Sequence, residues 1–177
     1  MKRPGLNAIA ADHVFDGTVV HDRTAVVVDG ARIVDLVPTS ELPRTMSIRA
    51  LPDDAWLAPG FIDLQVNGGG DVLFNDQTNV EGIRSIAAAH RKFGTTGLLP
   101  TLISDSPEKM RLALDAADAA VSEEPGVLGV HLEGPFLSSE KPGVHDTRQI
   151  RSPSADELAM LTAPRNRSEE HTLNSSH

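Results

Sequence analysis

The sequence predicts an α/β protein in which strands alternate with helices, preceded by a small β unit. Two observations predict it. Residues 8–50 contain β-branched runs separated by tight turns, and from about residue 56 the chain alternates between strand-like and helix-like segments. Such alternation is typical of a parallel sheet built from βα units.

The first 57 residues are predicted to form the small β unit. Two strand-like runs, 25–28 and 32–37, flank the dipeptide Asp29-Gly30. An Asp-Gly pair between two such runs predicts a β-hairpin with a type I′ turn, whose central residues need positive φ.

Residues 58–165 are predicted to contain three βα units. Strands are predicted at 61–67, 97–103 and 127–133, and helices at 80–93 and 106–122. A closed (β/α)8 barrel needs eight units and about 250 residues. An open doubly wound sheet could be smaller, but the sequence has no Gly-x-Gly-x-x-Gly or Walker-type loop. Three βα units and the absence of such a loop therefore favour a TIM-like (β/α)8 barrel that is cut short.

The two helices are predicted from their spacing and from their first residues. In the second helix Ser106 is suited to cap the amino terminus and Pro107 to be the first residue. In the first helix the residues at helical spacing are Val80, Ile83, Ile86, Ala87 and His90.

Composition excludes several classes of function. The net charge of −9 and the absence of a Lys/Arg cluster argue against binding to nucleic acid or to an anionic membrane surface. Without cysteine there is no disulfide and no thiolate metal site. Because no apolar run has the length of a signal peptide or a membrane span, a soluble, cytoplasmic protein is expected.

The segment 166–177 is polar and has no apolar period. It resembles a translated sequencing-adapter read with a one-base frame slip, which would make it an addition to a truncated gene. The alternative is a natural disordered terminus. On either interpretation His171 and His177 are not candidate metal ligands.

Polar and apolar side chains alternate along two of the predicted strands, so that one face is apolar and the other polar. Barrel interiors are normally apolar, and active sites form at the carboxyl ends of the strands. A polar inward face on two strands therefore indicates a functional site. The apolar faces carry Ile62, Leu64 and Val66 in one strand and Leu128, Val130 and Leu132 in the other; the inward faces carry Asp63, Gln65, Asn67 and Gly129, His131, Glu133.

Glu133 is a candidate metal ligand because carboxylate oxygens bind divalent ions such as Zn²⁺. A catalytic zinc site has about three protein ligands and a water, so further ligands would have to come from later strands. The alternative for Glu133 is a buried polar network or a strand that faces solvent on that side, and the alternative for His131 is a hydrogen-bonded core histidine.

Several segments resemble a known family. Residues 59–68 (Pro-Gly-Phe-Ile-Asp-Leu-Gln-Val-Asn-Gly) are similar to the first barrel strand of the amidohydrolase superfamily, and the Gly-Thr-Thr and Leu-Pro-Thr motifs of 94–101 are similar to its second. Residues 131–136 (His-Leu-Glu-Gly-Pro-Phe) and 141–145 (Lys-Pro-Gly-Val-His) resemble the third strand and loop of the N-acetylglucosamine-6-phosphate deacetylase family. The resemblance covers about residues 10–165.

This resemblance implies a metal-dependent sugar-amide hydrolase. It makes Glu133 a ligand of one divalent ion, Zn²⁺ or Fe²⁺, and Val144 and His145 a pair that contacts the amino-sugar phosphate. It also implies a homodimer or homotetramer, and a first β unit that further strands complete into a β-sandwich. By residue type alone, His145 would be a solvated loop histidine.

Gln65 and Asn67 stand where most superfamily members have a His-x-His pair. Neutral amides bind Zn²⁺ poorly beside imidazole, so a second metal is not expected, and we predict that these amides and His131 form hydrogen bonds in the site. The family's two further histidine ligands, its phosphate-binding arginine and its general-base aspartate have no counterpart in this sequence. The chain itself is therefore expected to be inactive.

Two alternatives stay open. A dihydroorotase-like or hydantoinase-like cyclic amidohydrolase would keep the His-x-His pair that Gln65 and Asn67 replace. A naturally short, non-catalytic binding module would require the gene to end near residue 177. Three βα units would also leave open sheet edges and uncovered apolar faces, such as that of Ile62, Leu64 and Val66, which predicts poor solubility or a partly molten state.

Overall fold

The computed structural model describes residues 5–163 and divides the chain into two compact units, one ending at Pro59 and one beginning at Gly60. The predicted boundary, between residues 57 and 58, lies close to this division. The segment 166–177, with His171 and His177, lies outside the described residues. Among the helices that the structure describes, none is both long and apolar enough to cross a membrane.

The first unit is a five-stranded sheet with β1 at its centre. β1 pairs antiparallel with β2 and parallel with both β4 and β5, while β3 extends the sheet beyond β2. The strands are β1 (Asn7–Phe15), β2 (Val20–Asp29), β3 (Arg32–Pro38), β4 (Ser47–Ala50) and β5 (Trp56–Leu57).

The predicted hairpin joins β2 to β3, and its closing pair is Asp29 and Arg32. Of the two central residues, Gly30 has φ +60° and Ala31 is not among the residues with positive φ. This pattern is that of a type II′ turn, with glycine first, so the hairpin is confirmed and the predicted type I′ turn is wrong. The physical reason is that Gly30, not Asp29, is the first central residue.

Both faces of this sheet carry small apolar clusters. Ala8, Ala25 and Val27 are buried on one face, and Val14 and Val26 on the other. The second face also has an apolar groove of about 380 Å³, lined among others by Leu36 and Leu57. Completion of the unit into a β-sandwich by further strands stays a prediction.

The second unit contains three parallel strands in the order β10, β9, β6, with helices on the connections between them. A short hairpin, β7 with β8, precedes the first helix. The elements are β6 (Phe61–Val66), β7 (Gly68–Gly69), β8 (Val72–Leu73), α1 (Val80–Arg91), β9 (Thr95–Ile103), α2 (Pro107–Glu123), β10 (His131–Glu133) and α3 (Ala155–Thr162).

The two predicted helices are confirmed together with their first residues. Asn79 caps α1 by accepting from the Gly82 N–H, and Ser106 caps α2 by accepting from the Lys109 N–H, with Pro107 as the first helical residue. The apolar stripes of both helices, with Val66 and residues of β9 and β10, form the main core of the unit.

Two details of the predicted strands are wrong. The third strand was predicted to begin at Val127, but it pairs continuously with β9 only from His131. Before that residue, Val127 forms one isolated bridge with Leu98. Ile62 and Leu64 do not lie under the helices but are 65% and 61% exposed, because α1 and α2 pack on β9 and only Val66 of β6 reaches the core. Their exposure agrees with the uncovered apolar face expected of three βα units, whereas Val66 is buried. Leu128, also predicted to lie under the helices, is 46% exposed.

The exposed face of β6 leads to a prediction about association. β6 ends the described sheet, and Ile62 and Leu64 are uncovered on it. We expect Leu64→Lys to increase the monomer fraction of the 177-residue chain in sedimentation experiments, because a charge on an edge strand opposes edge-to-edge pairing. Leu112→Lys makes the same change at an exposed apolar position of the helix α2, away from any strand edge, and is the matched control. Equal effects of the two substitutions would contradict an association site at β6.

Candidate active site

Polar side chains meet where the three parallel strands end. Gln65 lies near the end of β6, Ser104 directly follows β9, and Glu133 is the last residue of β10. Because carboxyl ends of parallel strands lie at one edge of a sheet, residues far apart in sequence come together here.

The Glu133 carboxylate is held by two neighbours. The Gln65 amide donates from Nε2 to Oε2 at 2.8 Å, and His145 Nε2 lies 3.5 Å from Oε1. Gln65 and Glu133 were predicted to share the polar face, and this hydrogen bond joins them. A carboxylate has about four acceptor sites, so the partly exposed Glu133 retains acceptor sites that no hydrogen bond from the described residues fills.

His145 comes from the loop after β10, yet its side chain is only 7% exposed. Its Nδ1 lies 2.8 Å from Ser104 Oγ and accepts from the Ser104 N–H at 3.3 Å. The interpretation of His145 as a solvated loop histidine is therefore wrong. Its predicted partner Val144 is 82% exposed.

His131 and Asn67 do not join this cluster. His131 is buried, with Nδ1 3.2 Å from Thr101 Oγ1, and burial lowers its pKa while the nearby Glu133 charge opposes the shift. This is the environment of a core histidine, as the alternative interpretation had it. The exposed Asn67 side chain makes no hydrogen bond within the described part of the chain.

Among the residues of this cluster, Glu133 is suited to be a metal ligand. The hydrogen bond from Gln65 to Glu133 and the 3.5 Å contact of His145 with the same carboxylate resemble the outer contacts that orient metal-binding carboxylates. Within residues 5–163, however, no three His, Cys, Asp or Glu side chains are grouped to hold a metal ion. These residues could thus supply Glu133 and its support, and further ligands would have to come from elsewhere.

Asn75, which was not predicted as a site residue, holds the end of β9. Its side-chain Oδ1 accepts from the Ile103 N–H at 3.0 Å, and its Nδ2 donates to the Ile103 carbonyl at 3.2 Å. The amide thereby pairs with Ile103 as a neighbouring strand would. Nδ2 also donates to Asp105 at 3.1 Å, so Asn75 fixes the residues on both sides of Ser104.

Arg151 ties the loop after β10 to its surroundings and was likewise not predicted. It donates to the carbonyls of Asp105 and Gln149 at 3.1 and 2.8 Å, and its Nη2 lies 2.7 Å from Glu157 Oε1. Glu157 is buried in the first turn of α3, where it also accepts from the Ser154 N–H. Asp105, whose carbonyl accepts from Arg151, directly follows Ser104. Arg151 therefore holds the loop that carries His145 against the end of β9.

Parts of this sequence are similar to curated amino-sugar-phosphate deacetylases. The N-acetylglucosamine-6-phosphate deacetylase of Haemophilus influenzae is 39% identical over 128 residues, 72% of this chain and 33% of that protein. The N-acetylgalactosamine-6-phosphate deacetylase of a Shewanella strain is 49% identical over 96 residues, 54% of this chain and 24% of that protein. The chain is homologous to the N-acetylglucosamine-6-phosphate deacetylases.

Solved deacetylase structures extend the similarity to most of the chain. The Pasteurella multocida deacetylase matches with a TM-score of 0.84 and 34% identity, over 89% of this chain and 41% of that one. The Mycobacterium smegmatis deacetylase, solved with N-acetyl-D-glucosamine-6-phosphate, matches with a TM-score of 0.76 and 27% identity over 88% and 40%. No protein-family model matches the chain. The chain spans between a quarter and a third of the length of these curated deacetylases.

Proposed function

We propose that the protein containing this chain is a deacetylase that hydrolyses the acetamide of N-acetylglucosamine 6-phosphate to glucosamine 6-phosphate and acetate. The observation that carries the proposal is the joining of Glu133, Gln65 and His145 at the carboxyl ends of three parallel strands. In a (β/α)8 barrel this is the end at which active sites form. The three described βα units would be the first three of that barrel.

Glu133 is proposed as one ligand of a single divalent ion, Zn²⁺ or Fe²⁺. Such an ion, when bound, polarises a carbonyl and activates water. Gln65 orients the Glu133 carboxylate through the 2.8 Å hydrogen bond. Gln65 and Asn67 are amides rather than imidazoles, which supports one metal rather than two.

The proposed substrate class is an amino-sugar phosphate, contacted by His145 and Val144. His145 would contribute its ring N–H to an oxygen of the substrate, since its other nitrogen is occupied by Ser104. A cytoplasmic location and a homodimeric or homotetrameric state are further parts of the proposal. The acidic net charge of −9 supports neither nucleic acid nor an anionic membrane as a partner.

N-acetylgalactosamine 6-phosphate is a second candidate substrate. The observation in its favour is the 49% identity with the Shewanella N-acetylgalactosamine-6-phosphate deacetylase over 96 residues. The two sugars differ at one hydroxyl group, and a site that hydrogen-bonds that hydroxyl would distinguish them.

A substrate panel tests the proposal. The gene would be expressed through its genomic reading frame beyond codon 165, and acetate release measured with both amino-sugar phosphates and with a cyclic amide. We expect turnover of at least one amino-sugar phosphate and none of the cyclic amide. Turnover of the cyclic amide alone would replace the proposal by a cyclic amidohydrolase, and a stop codon near residue 177 would favour a non-catalytic module.

The 177-residue chain provides a separate comparison. Because its described residues offer one proposed metal ligand and no group of three, we expect it to release no acetate, with or without added Zn²⁺. Measurable turnover by the 177-residue chain would contradict the assignment of further ligands to a missing part of the barrel.

A further inference from the structure

Ser104 is buried directly after β9, and its hydroxyl and its backbone N–H contact the same atom of His145. Its Oγ lies 2.8 Å from His145 Nδ1, and its backbone N–H donates to the same nitrogen at 3.3 Å. The opposite ring nitrogen of His145, Nε2, lies 3.5 Å from Glu133 Oε1. The ring thus lies between a donor pair and a carboxylate.

The backbone N–H decides which nitrogen of His145 carries the hydrogen. A main-chain N–H can only donate, and an imidazole nitrogen accepts only when it carries no hydrogen itself. Because Nδ1 accepts from the Ser104 N–H, Nδ1 is unprotonated, and the Ser104 hydroxyl donates to it as well. The hydrogen of the neutral ring is therefore on Nε2, beside the acceptor Glu133.

We propose that Ser104 is a positioning residue that fixes His145 as the Nε2–H tautomer, so that the ring presents a hydrogen-bond donor at Glu133. In this state neither nitrogen has a free lone pair, so His145 binds oxygen acceptors and does not ligate a metal. The importance of this donor for a substrate rests on the proposed deacetylase function. The tautomer itself depends only on the contacts among Ser104, His145 and Glu133.

Gly134 also lies close to the Ser104 hydroxyl. It has φ +85°, a conformation that favours glycine, and a Cβ at this position would overlap Ser104 Oγ. The backbone after β10 therefore comes close to Ser104 at Gly134, which has no side chain to collide with the hydroxyl. This approach confines the hydroxyl next to the loop that carries His145.

The tautomer can be measured by long-range ¹H–¹⁵N correlation spectra of the histidine rings in the 177-residue chain, without metal or substrate, at about pH 8, where free imidazole is neutral. We expect a lone-pair-type shift for His145 Nδ1 and a protonated-type shift for Nε2. Ser104→Ala should bring the two shifts toward their average, because only the longer backbone bond remains. Ser104→Thr, which keeps the hydroxyl, should restore the separation.

Two controls distinguish positioning from general loss of structure. Ser152→Ala removes an exposed hydroxyl without a hydrogen bond in the described structure, and should leave the His145 shifts unchanged. The His131 signals report in every variant whether the core around β10 is intact. An Nδ1–H tautomer or averaged shifts in the unsubstituted chain would overturn the proposal, as would a Ser104→Ala spectrum equal to that of the parent. None of these outcomes depends on whether the longer protein is a deacetylase.

Discussion

Replacing Arg151 by methionine is expected to lower the free energy of unfolding of the second unit by about 3 kcal/mol. Glu157 is only 5% exposed, and Arg151 is its charged partner at 2.7 Å. The substitution leaves a buried carboxylate unpaired and two carbonyls, of Asp105 and Gln149, without their donor. Urea unfolding of the 177-residue chain, followed by circular dichroism at low micromolar concentration, measures the loss.

Arg148→Met is the matched control, because Arg148 pairs with Asp146 at 2.7 Å but is 86% exposed. Exposed pairs contribute little to stability, so we expect a change below about 1 kcal/mol. If the two arginine substitutions cost the same, the Arg151–Glu157 pair does not hold the loop as described.

The effect of Arg151→Met should also depend on pH in a defined direction. Burial raises the pKa of Glu157, but hydrogen bonds from Ser154 and Arg151 outweigh it and leave the pKa below the ordinary value of 4.5. A lowered carboxyl pKa stabilises the fold above the ordinary value, and this contribution is lost as pH falls through the folded-state pKa. In Arg151→Met, protonation of Glu157 removes the unpaired charge. The difference in unfolding free energy between the parent and the variant should therefore become smaller below about pH 4.5.

Leu114→Ala is expected to cost about 3 kcal/mol of unfolding free energy, because it leaves a cavity in the main core. Leu114 in α2 is fully buried among residues of both helices and the sheet. The same urea experiment measures the loss. Leu112→Ala makes the identical change two residues away in the same helix, where the side chain is 56% exposed.

For Leu112→Ala we expect a change within about 0.5 kcal/mol, since surface substitutions rarely exceed this. The difference between the two variants reports burial alone, because the helix propensity of alanine enters both equally. A similar cost at the two positions would mean that α2 does not pack on β9 as described, and would favour the partly molten state predicted from the sequence.

The helices were predictable because their signals are local. Ser106 and Pro107 mark the start of α2 within two residues, and each apolar stripe repeats within one helix. The exposure of Leu64 was expected only from the number of βα units, and not from the pattern of the strand itself. Alternation along a strand identifies two faces, but it does not say which neighbours cover either face.

In the candidate site, too, residues that follow from a local pattern were predicted, and residues that act over long distances in sequence were not. The shared face of Gln65 and Glu133 follows from strand alternation, and their hydrogen bond agrees with it. Asn75 and Arg151 act on residues 28 and 46 positions away, so no pattern along the chain indicated them. Ser104 was missed for a related reason, since its role depends on the fold of the loop that brings His145 back to β9.

The central claim is that Glu133 belongs to the active site of a deacetylase. The most direct test compares Glu133→Gln with Glu140→Gln, an exposed glutamate of the following loop, in the protein expressed through the full genomic reading frame. Acetate release from N-acetylglucosamine 6-phosphate and bound metal are measured in both. We predict that Glu140→Gln retains both, while Glu133→Gln loses bound metal and at least about 100-fold in rate. Equal rates and metal contents in the two variants would contradict the claim.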